Sequence, residues 1–281
     1  MNSYECNLCH SPNHIKLGNF HGRILLSCGS CGLRSYFPTP SSAELKELYS
    51  NDHYVSANYF AVEDTSTTNH IKQLRRIASI FGSRIACGGK VLEVGPGKGR
   101  FIDFCKEQGL KIDALELSQP MAQQIRQRTG CTVLETTLEF SGFPQDSYSA
   151  IAAFDLLEHV QDPKGWLLEA WRVLVPGGIL AFSTVNYKTV LDVVGRLMHA
   201  LGVQQPFKKL HPPYHLYYFT PTIVSAYIKS ACFNLESIIH ENYDIKKASS
   251  NALEQVALCG IYLAHNMFGF KTNMYVVCTK N

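Results

Sequence analysis

Lys90-Val-Leu-Glu-Val-Gly-Pro-Gly-Lys-Gly-Arg-Phe101 is the stretch whose reading decides the fold. Val91, Leu92 and Val94 read as a short buried strand, Gly95, Gly97 and Gly99 as a tight turn, and Phe101 to Gln108 as a helix. A strand, a glycine turn and a helix open a doubly wound sheet and bring bare backbone and helix N-terminal amides against a ligand. A dinucleotide site spaces its glycines G-x-G-x-x-G. Here the third glycine follows the second after a single residue, and Glu93 stands two residues before the first. A carboxylate at that point is a poor neighbour for a pyrophosphate and suits a ligand with an ammonium or sulfonium charge.

The next elements keep the same order. Ile112 to Ser118 reads as a second strand ending at Glu116, 19 residues past Gly97, where a carboxylate can accept both ribose hydroxyls. Pro120 to Arg128 reads as a helix and Val133-Leu134 as a third strand. Ser147 to Ile151 leads into a fourth strand. Gly165 to Arg172 reads as a helix, and Val173-Leu-Val-Pro-Gly-Gly-Ile-Leu180 as a turn into the fifth. Phe233 to His240 and Met274 to Thr279 read as the last two strands, with a helical excursion between them.

In this order, the motifs resemble class I S-adenosylmethionine-dependent methyltransferases. The resemblance covers about residues 85 to 185 well and the remainder more loosely. It implies an α/β fold: a doubly wound, seven-stranded, mostly parallel Rossmann-like sheet. It also implies S-adenosylmethionine as cofactor, bound by Glu93, Gly95, Gly97, Gly99, Glu116, Leu117, Thr137, Leu138 and Phe154. Family members often place an acidic residue in the loop facing the adenine, and Glu135-Thr-Thr-Leu138 is the matching stretch here.

The acceptor is expected beyond the carboxyl ends of the fourth and fifth strands. Asp155, Glu158 and His159 lie there at i, i+3, i+4, a spacing at which one helical turn would face all three to one side. The pattern resembles the ubiquinone-pathway O-methyltransferases, whose acid, acid, His set can hold a divalent ion near a catechol. The same Glu-His-Val also occurs in relatives with no such metal. Three readings stand: shaping of the cofactor pocket, an acceptor contact or base at His159 or Asp155, and a catalytic metal. Residues 186–220 read as an acceptor-lid insertion, dense in histidine and tyrosine from Leu210 to Pro221. His215, Leu216, Phe219 and Thr220 match a His-Leu-x-x-Phe-Thr stretch of small-molecule and sugar methyltransferases. That resemblance makes His215 the first candidate for base or acceptor contact, ahead of His211, against the alternative that His215 braces the lid. Thr220-Pro221 reads as a helix start.

Upstream, Cys6-Asn-Leu-Cys9 and Cys28-Gly-Ser-Cys31 form C-x2-C-x18-C-x2-C. This lies in the window of about 15–20 residues between knuckles that marks zinc sites. Two tight knuckles aim four thiolates at one ion and leave no open position, so the expected Zn(2+) is structural. Gly29 and Gly32 are expected to ease the second knuckle. The alternative is a set of free or redox-active thiols. The six other cysteines read as core thiols. The expected organisation is a zinc ribbon at 1–38, a linker with N-terminal helices at 39–84, and the methyltransferase domain at 85–281. Within the linker, Ser41 to Glu44 has the form of a capping box, followed by Leu45 and Leu48 at helical spacing. Asn51 to Tyr59 reads as a loop or short helix, and Ile71 to Phe81 has helical periodicity.

Across its 281 residues the chain is 46% hydrophobic and 17% charged, which excludes intrinsic disorder. No stretch reaches about 18 uninterrupted apolar residues, and no basic head with an apolar run opens the sequence. Val256 to Phe270 comes nearest and reads as a buried helix. A cysteine-rich chain read this way belongs in a reducing cytoplasm. The expected function is methylation of a small-molecule acceptor, chiefly at oxygen of a sugar, nucleotide-linked sugar or secondary metabolite. A ribosomal RNA base methyltransferase that grips RNA with its ribbon is the alternative. Against it, the net charge is only +3, and the ribbon carries just Lys16, Arg23 and Arg34. A non-catalytic zinc scaffold is a third reading, opposed by the intact Glu93, Gly95, Gly97, Gly99 and Glu116.

Overall fold

The computed structural model describes residues 4–41, 44, 68–86, 88–242, 255, 259–263 and 271–281. The Leu45–Leu48 helix, the Asn51–Tyr59 stretch, Cys87 and most of Val256–Phe270 lie outside the described residues. The chain begins with three antiparallel strands, β1 (His14–Phe20), β2 (Arg23–Cys28) and β3 (Arg34–Phe37). The capping box at Ser41 is present: Glu44 Oε2 accepts from the Ser41 amide at 2.7 Å, and Ser41 Oγ accepts from the Glu44 amide at 3.2 Å.

Helix α1 (Asn69–Arg84) starts at Thr68, whose hydroxyl accepts from the Ile71 amide. Then come β4 (Lys90–Val94), α2 (Arg100–Glu107), β5 (Lys111–Leu115), α3 (Gln119–Thr129), β6 (Val133–Leu134) and β7 (Tyr148–Phe154). Helix α4 (Pro163–Val173) is capped by Asp162 and has proline in its first turn. It runs into β8 (Leu174–Val185), which takes in the Pro-Gly-Gly turn. The insertion contains α5 (Val190–Ala200), α6 (Gln205–Leu210) and the two-residue β9 (Tyr217–Tyr218). Thr220-Pro221 opens α7 (Pro221–Ser230), and β10 (Phe233–Glu241) and β11 (Asn273–Lys280) follow.

The large sheet has seven strands in the order β10-β11-β8-β7-β4-β5-β6. The β4, β5, β6, β7 and β8 strands are parallel, while β11 and β10 run antiparallel at one edge. The seven-stranded, mostly parallel sheet expected from the sequence is therefore observed. Successive strand residues point to opposite faces. Val91 and Ala150 join the core under α1, α2 and α3; Leu92 and Ile151 join the core under α4 and α7. Both faces are covered, so the central strands read as continuous apolar runs. Strand order reverses between β4 and β7, and the crevice at their carboxyl ends is where ligands bind in such sheets.

A second sheet has the order β1-β2-β3-β9, so a strand of the late insertion completes the N-terminal one. Of the remaining cysteines, Cys105, Cys131 and Cys278 are buried as expected, whereas Cys232 and Cys259 are exposed. Among the described residues no helix is long and apolar enough to cross a membrane.

Candidate active site

The glycine turn joins β4 to α2 over the switch point. Gly95, Gly97 and Gly99 have φ of 69°, 51° and 69°, a left-handed conformation that L side chains resist. The Gly95 amide donates to Leu115 O at 2.9 Å, which fixes the turn to the end of β5. Arg128 braces the turn from α3. Its guanidinium donates to the carbonyls of Lys98 and Gly99 at 2.8 and 2.9 Å and to both Asp103 carboxylate oxygens.

Glu93 is 3% exposed, and its Oε2 has no hydrogen-bond partner among the described residues. Burial raises this carboxyl well above the ordinary range, and the Asp103 charge adds to the effect while Arg128 opposes it. Glu116 stands just past β5, and its Oε1 accepts from the Ser118 amide at 2.8 Å. Burial raises it too, against the Ser118 hydrogen bond. Thr137 precedes a short 3-10 turn at Leu138–Phe140, and its buried hydroxyl also has no partner among the described residues. Buried polar groups are nearly always satisfied, so the unpartnered Glu93 carboxylate oxygen at the start of the bare glycine turn marks a place for a polar ligand, and the Thr137 hydroxyl is a second unpartnered group after β6.

The other expected cofactor residues are placed less uniformly. Leu117 is 53% exposed, Leu138 is fully buried in the core, and the Phe154 ring packs edge-on to Phe101. Glu135, the acid of the loop after β6, is paired with Arg126 at 2.8 Å.

On the other side of the crevice, Asp155 ends β7 with φ of 50°, an uncommon backbone state for a non-glycine residue. Ser183 on β8 holds it there. The Asp155 amide donates to Ser183 O and Oγ, and Ser183 Oγ–H donates to Asp155 Oδ1 at 2.6 Å. A 3-10 turn at Leu157–His159 follows. Asp155 is hydrogen-bonded to Ser183, and its charge acts on both Glu158 and His159. Glu158 and His159 are joined by His215, with one ligand-type atom of each within 4.8 Å of the others. His159 packs edge-on to His215, with centroids 4.8 Å apart.

Glu158 has no exposed surface. Oε2 accepts from the Thr184 hydroxyl at 2.9 Å, and Oε1 has no partner among the described residues. Burial, aided by the Asp155 charge, pushes its carboxyl up to about 8. His159 Nδ1 lies 2.8 Å from Tyr214 O and donates to it, since a carbonyl only accepts. His215 Nδ1 shares a 2.6 Å hydrogen bond with the Tyr187 hydroxyl. Burial lowers both imidazoles, and for His215 the neighbouring His159 and His211 add to it, so both rings are neutral near pH 7. His211 is placed differently. It is fully buried, Nδ1 donates to Phe207 O at 2.8 Å, and Nε2 lies 3.4 Å from Arg34. Sequence reasoning missed Tyr187 and Thr184, which carry no motif; the fold brings Tyr187 to His215 and Thr184 to Glu158.

In the ribbon, the Cys6–Cys31 and Cys9–Cys28 sulfur pairs are each 3.5 Å apart, and all four sulfurs lie within 4.8 Å of one another. A tetrahedral site with Zn–S of about 2.3 Å has sulfurs about 3.8 Å apart, so the donor set fits that ion. Burial pushes the Cys28 thiol up, but the backbone amides of Cys31 and Ser30 and the nearby thiols outweigh it and bring it to about 6. Gly32 has φ of 80°, as the knuckle requires. Gly29 serves space instead of backbone angle, because a Cβ there would lie 3.0 Å from Asn13 Nδ2.

The comparisons agree with this geometry. Residues 68–236 match the family model described as "Methyltransferase domain". A ubiquinone biosynthesis O-methyltransferase of Xylella fastidiosa is 25% identical over 165 residues, which is 56% of this chain and 65% of that protein. A malonyl-[acyl-carrier protein] O-methyltransferase of Salmonella typhimurium is 34% identical over 101 residues, 34% of this chain and 38% of the relative. Among solved structures, the cyclase SpnF has a TM-score of 0.59 at 14% identity, covering 86% of this chain and 97% of its own. An S-adenosylmethionine-dependent methyltransferase of Mesorhizobium loti has a TM-score of 0.51 at 19% identity, covering 76% and 99%. These likenesses speak for the fold, and a cyclase among them is a reminder that fold alone does not fix the reaction. The family match spans more than half of the sequence and contains the glycine turn, Glu116 and the Glu158–His159 pair, so the chain belongs to the methyltransferase-domain family, of the class I S-adenosylmethionine-dependent type.

Proposed function

We propose that the chain transfers a methyl group from S-adenosylmethionine to a hydroxyl of a small-molecule acceptor: a sugar, a nucleotide-linked sugar or a secondary metabolite. The observation that carries the cofactor half is the buried, unpartnered Glu93 Oε2 immediately before a turn of three left-handed glycines, with Thr137 Oγ1 a second unpartnered buried group after β6. When bound, the cofactor supplies a methyl group already activated by its sulfonium centre. Glu93 and Gly95, Gly97 and Gly99 form the cradle, and Glu116 accepts hydroxyl donors with the oxygens that Ser118 leaves open. Leu117 and Phe154 add apolar wall, and Leu138 backs the site from the core.

The acceptor half rests on His215. In the role of base it keeps its own proton on Nδ1, donated to the Tyr187 oxygen, and takes the acceptor proton on Nε2. A ring kept neutral by burial is in the right state for that step near pH 7. His159 stands beside it, oriented by Tyr214 O. Asp155, fixed by Ser183, shapes the floor between the two halves. His211 is a structural neighbour in this reading. The O-methyltransferase names of the two relatives support oxygen as the methylated atom. The ribbon cations speak against RNA: Arg34 is engaged by Asp192 at 2.5 Å and Arg23 by Glu44 at 3.2 Å. The four cysteines hold one structural zinc, which suits a reducing compartment.

Calorimetry with S-adenosylhomocysteine tests the cofactor half. Glu116→Ala removes a hydrogen bond to a charged group, about 1.5–3 kcal/mol, and should weaken binding roughly 10- to 150-fold. Equal affinity in the variant would overturn the assignment. A tritiated-methyl transfer screen over metabolite fractions, nucleotide sugars included, tests the acceptor half; label recovered only in RNA would reverse the reading.

A further inference from the structure

We infer that the N-terminal ribbon is the scaffold that sets the acceptor wall, and that Arg34 and Tyr36 are positioning residues for His215. The inference deepens the acceptor reading above and rests on it. Four separate links join the ribbon to the insertion. First, β3 pairs with β9 in antiparallel register, Arg34 opposite Tyr218 and Ser35 opposite Tyr217, and the Tyr36 amide extends the ladder to Leu216 O at 3.1 Å. Leu216 directly follows His215. Second, Arg34 makes a bidentate pair with Asp192 on α5, at 2.5 and 3.0 Å. Both partners are largely buried, with side-chain exposures of 15% and 6%. Third, the Tyr36 hydroxyl donates to His211 O at 2.6 Å, four residues before His215. Fourth, Phe20, Leu25 and Tyr36 of the ribbon share a small apolar core with Tyr187, Phe207 and Tyr218 of the insertion.

The other side of the segment is anchored to the catalytic fold. The Leu216 amide donates to Glu158 O at 2.7 Å, and the Tyr187 amide to Phe219 O at 2.8 Å. Residues 211–218 are thus clamped between the ribbon and the switch-point crevice. A two-residue strand has little stability of its own, because an isolated short pairing is marginal in water. Its register comes from β3, and a slip of one residue would send alternate side chains to the opposite face. Arg34 is suited to the task because a planar guanidinium bound through two nitrogens fixes orientation as well as distance, which a lysine cannot copy.

The test compares wild type with Arg34→Met, Arg34→Lys and Tyr36→Phe in the full chain, using three readouts. These are S-adenosylhomocysteine affinity, the ring resonance of His215 in a 13C-histidine-labelled sample, and total methyl transfer into a metabolite extract. Arg34→Met and Tyr36→Phe should keep cofactor-product affinity within about twofold, shift the His215 resonance, and lower transfer tenfold or more for Arg34→Met. Arg34→Lys should move the resonance part of the way back to wild type. An unmoved His215 resonance in both Arg34→Met and Tyr36→Phe overturns the inference. If Arg34→Met loses cofactor-product binding through misfolding, the milder Tyr36→Phe decides by the same resonance. Wild type that fails to bind S-adenosylhomocysteine would sink the cofactor reading, while the resonance would still judge this one.

Discussion

Replacing Glu158 with glutamine should change how stability depends on pH, in a direction the structure fixes. Glu158 has no exposed surface, and the Thr184 hydroxyl donates to its Oε2. Its carboxyl titrates at about 8 in the fold against 4.5 ordinarily. Between those values the folded chain holds a proton that the unfolded chain has released. Folding therefore grows less favourable as pH rises through this window, by up to about 5 kcal/mol across the whole of it. The amide of Glu158→Gln does not titrate, and its carbonyl can still accept from Thr184. Urea unfolding of both proteins at pH 5, 7 and 9 isolates the effect. The variant should match wild type within about 1 kcal/mol at pH 5 and exceed it by several kcal/mol at pH 9. Parallel profiles, or a wild type that gains on the variant as pH rises, would show that Glu158 sits ionised in the fold and would refute the reasoning.

On the acid side, burial first, and the Arg34 charge with it, lower His211 to about 4 from 6.5, so its contribution is lost as pH falls through that interval. His211→Gln should flatten the unfolding profile between pH 7 and pH 4 by about 3 kcal/mol, measured by the same titration. Gly99→Ala forces an alanine to φ of 69° and puts its Cβ 2.6 Å from the Arg128 Nη2 that braces the turn. It should cost about 1–2 kcal/mol of stability and weaken S-adenosylhomocysteine binding tenfold or more by calorimetry. Gly109→Ala, at φ of 72° with open space around it, should cost a similar stability and leave that affinity unchanged. Cys28→Ser should lower zinc from one ion per chain to none in elemental analysis, with a fall in thermal stability.

The parts legible in the sequence are those in which local chemistry dictates structure. The turn at Gly95, Gly97 and Gly99 is readable because only glycine takes three left-handed angles so close together, and the last two strands lie within one residue of the expected Phe233–His240 and Met274–Thr279. The site was legible up to the point where one element had to meet another. Asp155, Glu158 and His159 were expected on one face of a helical turn. Asp155 instead leaves β7 with φ of 50°, and the 3-10 turn begins after it. No spacing rule covers a strained residue held by a serine on another strand, here Ser183. The fold also brings His215 beside the pair, from a segment whose strand is too short to announce itself. Tyr217 and Tyr218 become a strand only because β3, formed about 180 residues earlier, offers them an edge. The proposed acceptor side thus depends on pairings between distant parts of the chain, whereas the glycine turn of the proposed cofactor side is local. A family resemblance carried by the turn can therefore identify the cofactor and leave the acceptor unread. On the proposed role of the ribbon–insertion contact, variants of Arg34 and Tyr36 should bear on acceptor choice more than variants of the glycine turn.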